Sequence, residues 1–317
     1  MKVVSLFSGC GGLDLGFANG GFHVVWANDI FTDAVATYRQ NLGAHIVNLS
    51  LEQIDSHSIP SCDGVIGGFP CQGFSVANTG RRIDDSRNLL YRQFVRVVKD
   101  KQPRFFLAEN VKGILSLGGG AVFQQIIKDF GAVGFDVHHA VCNAADYGVP
   151  QRRERVFLFG VRRGISVKLS AFPPRPTHCR HRTLFPDLLP WLTIGYALKD
   201  LPEPSETCDV PNHTGTGYKI RLNGYLGHRR VDADKPAPTI TARGDERGGV
   251  VIIHHPSNTR RLTVREAAAV QSFPRSFEFT GSNTSCYRQI ANAVPPLLAQ
   301  RIAESISEAF SASKPKR

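Results

Sequence analysis

A cysteine set directly after a proline, in Gly68-Phe69-Pro70-Cys71-Gln72-Gly73-Phe74-Ser75, and a carboxyl in Ala108-Glu109-Asn110-Val111 are the two groups of this chain best placed for covalent chemistry. Each follows a short apolar run, Gly64–Gly67 and Arg104–Ala108, bounded by Asp, Pro or Gly as strands are. Strands of a parallel sheet deliver their carboxyl ends to one edge, so thiol and carboxyl are expected to converge there. A plain thiol is only a few per cent thiolate at neutral pH. Such a site must therefore lower the cysteine's pKa or couple its attack to protonation of the substrate by a neighbouring acid. Lone cysteines are more often inert core residues; here the flanking proline and glutamine, and the acid on the next strand end, favour a nucleophile.

A second constellation lies at the N-terminus. The run Lys2–Leu6 enters Phe7-Ser8-Gly9-Cys10-Gly11-Gly12-Leu13-Asp14, a glycine-rich turn between a strand and a helix that lets a nucleotide-like ligand approach the backbone. The dinucleotide fingerprint would need glycine where Asp14 stands. An acid there disfavours a pyrophosphate and suits a cofactor that carries positive charge. The next strand ends in Asn28-Asp29, whose carboxylate can accept bonds from ribose hydroxyls. Together these residues point to a nucleoside cofactor without phosphates, S-adenosylmethionine being the obvious candidate; a tight turn with no ligand is the alternative.

The elements that must hold these groups alternate over the first 163 residues. Strands are expected at Lys2–Leu6, His23–Ala27, Gly64–Gly67, Arg104–Ala108, Val137–Cys142 and Val156–Val161, with helical periods at Thr32–Asn41, Asn88–Lys99 and Ala121–Phe130. That alternation predicts an α/β fold, a Rossmann-like doubly wound and mostly parallel sheet with helices on both faces. From Phe172 to Asn258 prolines, glycines, histidines and arginines dominate, which predicts a smaller loop-rich lobe with short strands at Ala237–Ala242 and Val250–His254. Helical period returns at Val264–Gln271 and, after a loop, at Pro295–Phe310, before a basic tail at Ser311–Arg317. The expected division is a catalytic unit over 1–172, a recognition unit over 173–276, and a segment over 277–317 that returns to the first.

Composition narrows the partners. Apolar residues make 42% and charged residues 21% of 317, which suits a soluble chain with a sizeable core. The net charge of +11 comes from 27 Arg and 11 Lys against 27 acids. Arginine's planar fork suits phosphates and guanine edges, and a solvated basic surface would hold more lysine. No apolar run reaches the roughly 18–20 residues of a membrane span, and the N-terminus lacks a secretory h-region. Seven cysteines, at 10, 62, 71, 142, 179, 208 and 286, form no C-x-x-C pair, which fits a reducing cytoplasm. His178, Cys179 and His181 lack a second ligand pair at zinc spacing, so no metal is expected.

Six segments taken together are similar to the ordered motifs of the bacterial DNA (cytosine-5)-methyltransferases of restriction–modification systems. They are FSGCGG (7–12), GFPCQGFS (68–75), AENV (108–111), QRRER (151–155), RRLTVREAAAVQSFP (260–274) and ANAVPP (291–296). They leave uncovered chiefly 172–258, where that family keeps its variable target-recognition region. The resemblance implies a class I S-adenosylmethionine-dependent methyltransferase that flips a cytosine out of duplex DNA, adds the Cys71 thiolate to C6 and methylates C5. It implies that Glu109 holds the base at N3 and its amine, that Arg155 bonds O2, and that Arg153 supports the same pocket. Phe7 and Leu90 would flank adenine, Asp29 would bind ribose, and Asn292 would lie near the methionine end. Gly9, Gly11, Gly12, Leu13 and Pro70 would line the cofactor. Where the family has an aspartate for the adenine amine this chain has Ser50, and where an aromatic lid is common it has Ile30. Gln72 and Ser75 would touch the flipped nucleotide's backbone. Arg229, Arg230, Thr239, Thr241 and Arg243 fall in the recognition region, with a phosphate contact as the alternative for any one arginine. The stretch 151–182 holds nine Arg or Lys against Glu154 alone, a basic wall beside the catalytic edge. A monomer acting on duplex DNA is expected. A tRNA cytosine-5-methyltransferase and a non-catalytic DNA-binding relative are the rival readings.

Overall fold

The computed structural model describes residues 1–70, 90–181, 186–205, 209–215, 230–242, 250–251 and 254–311. Cys71, Gln72, Ser75, Arg229 and Arg243 lie outside the described residues. Among the described residues the main sheet has seven strands: β1 (Lys2–Leu6), β2 (His23–Asn28), β3 (Ile46–Val47), β4 (Gly64–Gly67), β5 (Phe105–Val111), β6 (Phe135–Asn143) and β7 (Glu154–Arg162). They lie in the order β3-β2-β1-β4-β5-β7-β6. Pairings from β3 through β5 are parallel, and β7 runs antiparallel to both β5 and β6. This is the expected doubly wound sheet with one reversed strand. The order turns back on itself beside β1 and β4, where such sheets open a crevice at their carboxyl edge.

Helices cover both faces. On one, α1 (Gly12–Asn19) and α8 (Pro296–Ser311) share a core with Phe105, Phe159 and Val161. On the other, α3 (Leu90–Lys101) and α4 (Ala121–Ala132) pack Phe94, Val97, Ile126 and Phe130 onto Phe106 and Leu158. Adjacent Phe105 and Phe106 thus serve opposite cores, as the period of two in a strand requires. The strands Val3–Leu6 and Phe105–Ala108 are fully buried, which explains why they read as continuous apolar runs. A further helix, α2 (Thr32–Asn41), packs Val35 and Tyr38 over the β2–β3 edge.

The α1–α8 contact is set by small residues. A Cβ at Gly16 would stand 2.3 Å from the Cβ of Ala299, and one at Gly20 would stand 2.6 Å from the Cβ of Ala303. One at Gly12 would stand 2.4 Å from the carbonyl oxygen of Val294. Positions 12, 16 and 20 share one helical face, so α8 and the turn before it lie against the α1 backbone.

A third core joins residues far apart in sequence. Ile194 and Leu198 of α5 (Ile194–Leu198) and Ile240 pack with Val264 and Val270 of α6 (Val264–Val270) and with Tyr287 and Ile290 of α7 (Asn283–Asn292). Cys10 of the glycine turn belongs to the same cluster. Several elements depart from expectation: β3 is only two residues long, too short to show a period, and α7 occupies part of the expected loop before residue 295. Polar Asn283, Thr284 and Ser285 open α7 and blur its helical period, but Ser282 caps its N-terminus by accepting from the N–H of Ser285. The recognition strands shrink to β10 (Thr241–Ala242) and β11 (Val250–Val251), which pair antiparallel. The two remaining short strands, β8 (His178–Cys179) and β9 (Leu189–Pro190), pair parallel.

Candidate active site at the carboxyl edge of the sheet

Pairing of β4 with β5 places Gly67 opposite Ala108, so the chain leaves both strands side by side at Gly68 and Glu109. The fit is close: a Cβ at Gly68 would lie 2.8 Å from Oε2 of Glu109. Asn110 donates its side-chain N–H to the carbonyl of Phe69 at 3.1 Å, while its Oδ1 accepts the Val111 N–H. Two residues before the cysteine, the loop is therefore tied to the strand that carries the acid. Pro70, half-buried, follows Phe69 and directly precedes Cys71 in the chain.

On the other flank of β5, antiparallel β7 sets Arg155 opposite Val111. The Arg155 guanidinium reaches back, with Nε 2.8 Å from Oε1 of Glu109, both side chains about nine-tenths buried. Burial pushes the Glu109 carboxyl above its ordinary pKa; the nearby Arg155 and, more weakly, Arg153 pull it back. The raised direction is the one an acid needs if it is to hold a proton and donate it. A cleft of about 320 Å³ is lined by Asn143, Arg152, Glu154, Pro238 and Thr239.

Arg153 is held by backbone close enough to Glu109 and Arg155 for its charge to act on both. It is 1% exposed and donates to the carbonyls of Ile240, Ala291 and Ala293. Its charge acts on Glu109 at a distance, while its hydrogen bonds go to backbone. Thr239 is likewise committed: its hydroxyl donates to the Arg152 carbonyl at 2.6 Å. Thr241 is half-buried in β10 and Arg230 is exposed.

At the other end of the edge the glycine turn begins with Phe7 at a positive φ of 54°, uncommon for a side-chain-bearing residue and concentrated at functional loops. Gly9 faces open space, with nothing within 4 Å of a built Cβ. Gly11 is different, since its Cβ would run into Leu42 and Tyr38. Gly11 and Gly12 are thus required by packing, and Leu13 is a core residue. What these three residues can offer a ligand is backbone. Gly11 caps α1 with no side-chain bond, so the first N–H groups of the helix remain donors.

Asp29 is 8% exposed and its carboxylate accepts the N–H of Gly9 at 2.8 Å and of Phe31 at 2.9 Å. A carboxylate has about four lone-pair sites, so two remain for ribose hydroxyls. Asn48 donates to the Asp29 carbonyl and Asn28 to the Leu49 carbonyl, holding the β2 and β3 ends together. Ile30, Phe31 and Leu49 are exposed apolar residues at this corner, at 56%, 48% and 48%, a surface an adenine ring could cover. Ser50 caps the turn at Leu51–Gln53 by accepting the Glu52 N–H, so a capping role accounts for its hydroxyl. Leu90 opens α3, half-buried, and Asn292 is exposed at the end of α7. Asp14, the acid expected to disfavour a pyrophosphate, lies beneath the turn. It is 1% exposed and accepts a bond from Ser5 of β1.

Four contributors were not read from the sequence. Asn110, Asn48, Gln151 and Gln271 are buried or half-buried amides, each of which donates to a backbone carbonyl or another amide well separated along the chain. Only the place of Asn110 beside Glu109 could have marked it.

A doubly wound sheet with a glycine turn after β1, an acid closing β2 and an acid–arginine pair across β5 and β7 is the framework of a nucleoside-dependent transferase. Comparison with known proteins is more specific: residues 1–308 match the C-5 cytosine-specific DNA methylase family, and the chain belongs to it. It is 39% identical to the type II methyltransferase M.NgoFVII of Neisseria gonorrhoeae over 98% of this chain and 87% of that protein. It is 38% identical to M.BsuRI of Bacillus subtilis over 97% and 79%. Among solved structures, an E. coli prophage-encoded protein described as a DNA modification methyltransferase superposes with a TM-score of 0.77 at 26% identity, covering 98% of this chain and 99% of that one. The protein is thus a DNA cytosine-5-methyltransferase.

Proposed function

We propose that the protein methylates C5 of a cytosine flipped out of a specific duplex DNA sequence, within a restriction–modification system, by transient attachment of Cys71 to C6. The Glu109–Arg155 pair beside the loop that leads to Cys71 carries this reading. Inside a duplex the C6 face is stacked, so the base must be extruded at a cost of a few kcal/mol. Exposed Arg152, Arg175 and Arg180 of the basic stretch 151–182 supply phosphate contacts that offset it, whereas Arg162, Arg163 and Lys168 lie at or beyond the far end of β7, away from the carboxyl edge.

Cytosine C5 is a poor nucleophile until the ring is activated. Addition of the Cys71 thiolate to C6 moves the ring electrons toward N3, where the proton held by Glu109 meets them, leaving C5 enamine-like. Arg155, already oriented by Glu109, bonds O2 and stabilises the charge that collects on the ring. S-adenosylmethionine supplies the electrophilic methyl carbon that C5 takes. Loss of the C5 proton to solvent, elimination of the Cys71 thiolate and return of the N3 proton to Glu109 then restore the aromatic ring.

The fit for that cofactor rests on open space at Gly9, uncapped N–H groups at the α1 N-terminus for a carboxylate, spare lone pairs on Asp29 for ribose, and the apolar corner at Ile30, Phe31 and Leu49 for adenine. We also propose that the catalytic unit ends near 172, that the recognition lobe reaches 276, and that the protein acts as a monomer. The test uses plasmid DNA expressed with the protein and sequenced so as to resolve 5-methylcytosine, which also yields the target site. A duplex carrying 5-fluorocytosine at that site should then crosslink to Cys71 in the presence of methyl donor, because fluorine cannot leave as the proton does. Cys71→Ala should lose both the crosslink and methyl transfer; transfer at near the unmodified rate would overturn the mechanism.

A further inference from the structure

Three buried polar side chains outside the reacting pair form one connected network. Gln151 and Gln271 are fully buried and Arg153 is 1% exposed. Gln151 accepts the N–H of Ile240 at 3.2 Å and donates to Oε1 of Gln271. Gln271 in turn donates to the carbonyls of Ile290 at 3.1 Å and Ala293 at 2.8 Å. Arg153 runs alongside, donating to the Ile240 carbonyl at 3.0 Å and to the carbonyls of Ala291 and Ala293. Both backbone groups of Ile240, between Thr239 and Thr241, are therefore held by the same network that grips the two residues flanking Asn292.

Such a network is expensive unless every partner is in place. A buried guanidinium is costly to desolvate, and among the described residues no carboxylate forms an ion pair with Arg153. Its Nε finds no partner either. A displacement of about an ångström at Ile240 would strand buried donors, so the arrangement favours discrete states over gradual deformation. One end is the segment expected to meet DNA and the other is the helix end expected near the cofactor's methionine.

We infer that Gln151, Arg153 and Gln271 are positioning residues that couple the two binding events. DNA engagement at 239–241 sets the backbone on either side of Asn292, and cofactor engagement at Asn292 sets 239–241. By linkage the coupling is reciprocal. The inference rests on the proposed reading of both ends.

S-Adenosylhomocysteine binding is measured by calorimetry on the full chain, alone and saturated with a duplex carrying the mapped target. The unmodified protein should bind it on the order of tenfold more tightly with DNA present. Gln271→Met and Gln151→Met, which keep volume and lose hydrogen bonds, should bring that ratio to about twofold or less, and duplex affinity measured with and without S-adenosylhomocysteine should lose the same factor. Variants that are less stable but keep the full ratio would mean a structural staple and overturn the inference, as would a ratio of one in the unmodified protein. Hydrogen exchange on the unmodified chain needs no variant: S-adenosylhomocysteine alone should slow amide exchange over 237–242, and unchanged exchange would also overturn it. Failure of the unmodified protein to bind either ligand would instead strike at the proposed function.

Discussion

At Asp14 burial raises the carboxyl from 3.8 to about 6. A folded-state value above the unfolded one means that the folded chain holds the proton more tightly. The favourable contribution is complete below about 4 and lost as the pH rises through about 6. The shift corresponds to about 3 kcal/mol. Asp14→Asn keeps the bond from Ser5 without a charge to bury. Its stability should therefore rise relative to the unmodified chain between pH 4 and 6 and stay above it at neutral pH, as melting temperatures across that range would show; a constant difference would refute the assignment. Asn110 makes a catalytic prediction at the same scale. Asn110→Ala frees the Phe69 carbonyl and with it the approach to Cys71. Misplacement of a reacting group by about 1 Å costs on the order of a hundredfold in rate. The loss should fall on kcat, measured as single-turnover methyl transfer, with DNA affinity little changed. The proposed acid and nucleophile drew notice in the sequence because strand ends, and for Cys71 a flanking proline and glutamine, mark them locally. Asn110 did not, because its partner lies 41 residues back along the chain.

Among the elements, the α1–α8 contact is the firmest constraint on the cofactor corner. Gly16→Val would place branched carbon where the Ala299 Cβ and the Pro296 carbonyl already lie, at 2.3 and 2.5 Å from even a single Cβ. Overpacking of this kind costs about 1–3 kcal/mol or more. The variant should melt several degrees lower and bind S-adenosylhomocysteine less well, since α1 opens directly from the glycine turn; an unchanged melting temperature would show that α8 yields without cost. The sheet strands were readable as elements because burial on both faces makes them apolar throughout. Helix α7 was not, since polar residues fill its first turn and its stability comes from Tyr287 and Ile290 in a core supplied by residues from 194 to 279.

For the whole molecule, a charge of +11 on an arginine-rich chain implies that duplex binding is driven largely by release of counterions. Affinity should fall steeply with salt: for six phosphate contacts, about a thousandfold or more between 50 and 200 mM. A flat dependence would mean that phosphate contacts contribute little to binding. Taken by itself, the order of residues marked the proposed thiol after Pro70, the acid at 109, the arginine at 155 and the glycine turn, and predicted the strands whose ends bring Glu109 and Arg155 together. Those are decided by covalent neighbours and by the period of burial, both local properties of a chain. Only the tertiary structure decided that Arg153 serves backbone carbonyls, that Asp14 is buried beneath the turn, and that Gln151 and Gln271 bridge the recognition segment to α7. A buried polar side chain takes whichever partner the fold brings within about 3 Å, and that partner lies a hundred or more residues away in the case of the two glutamines.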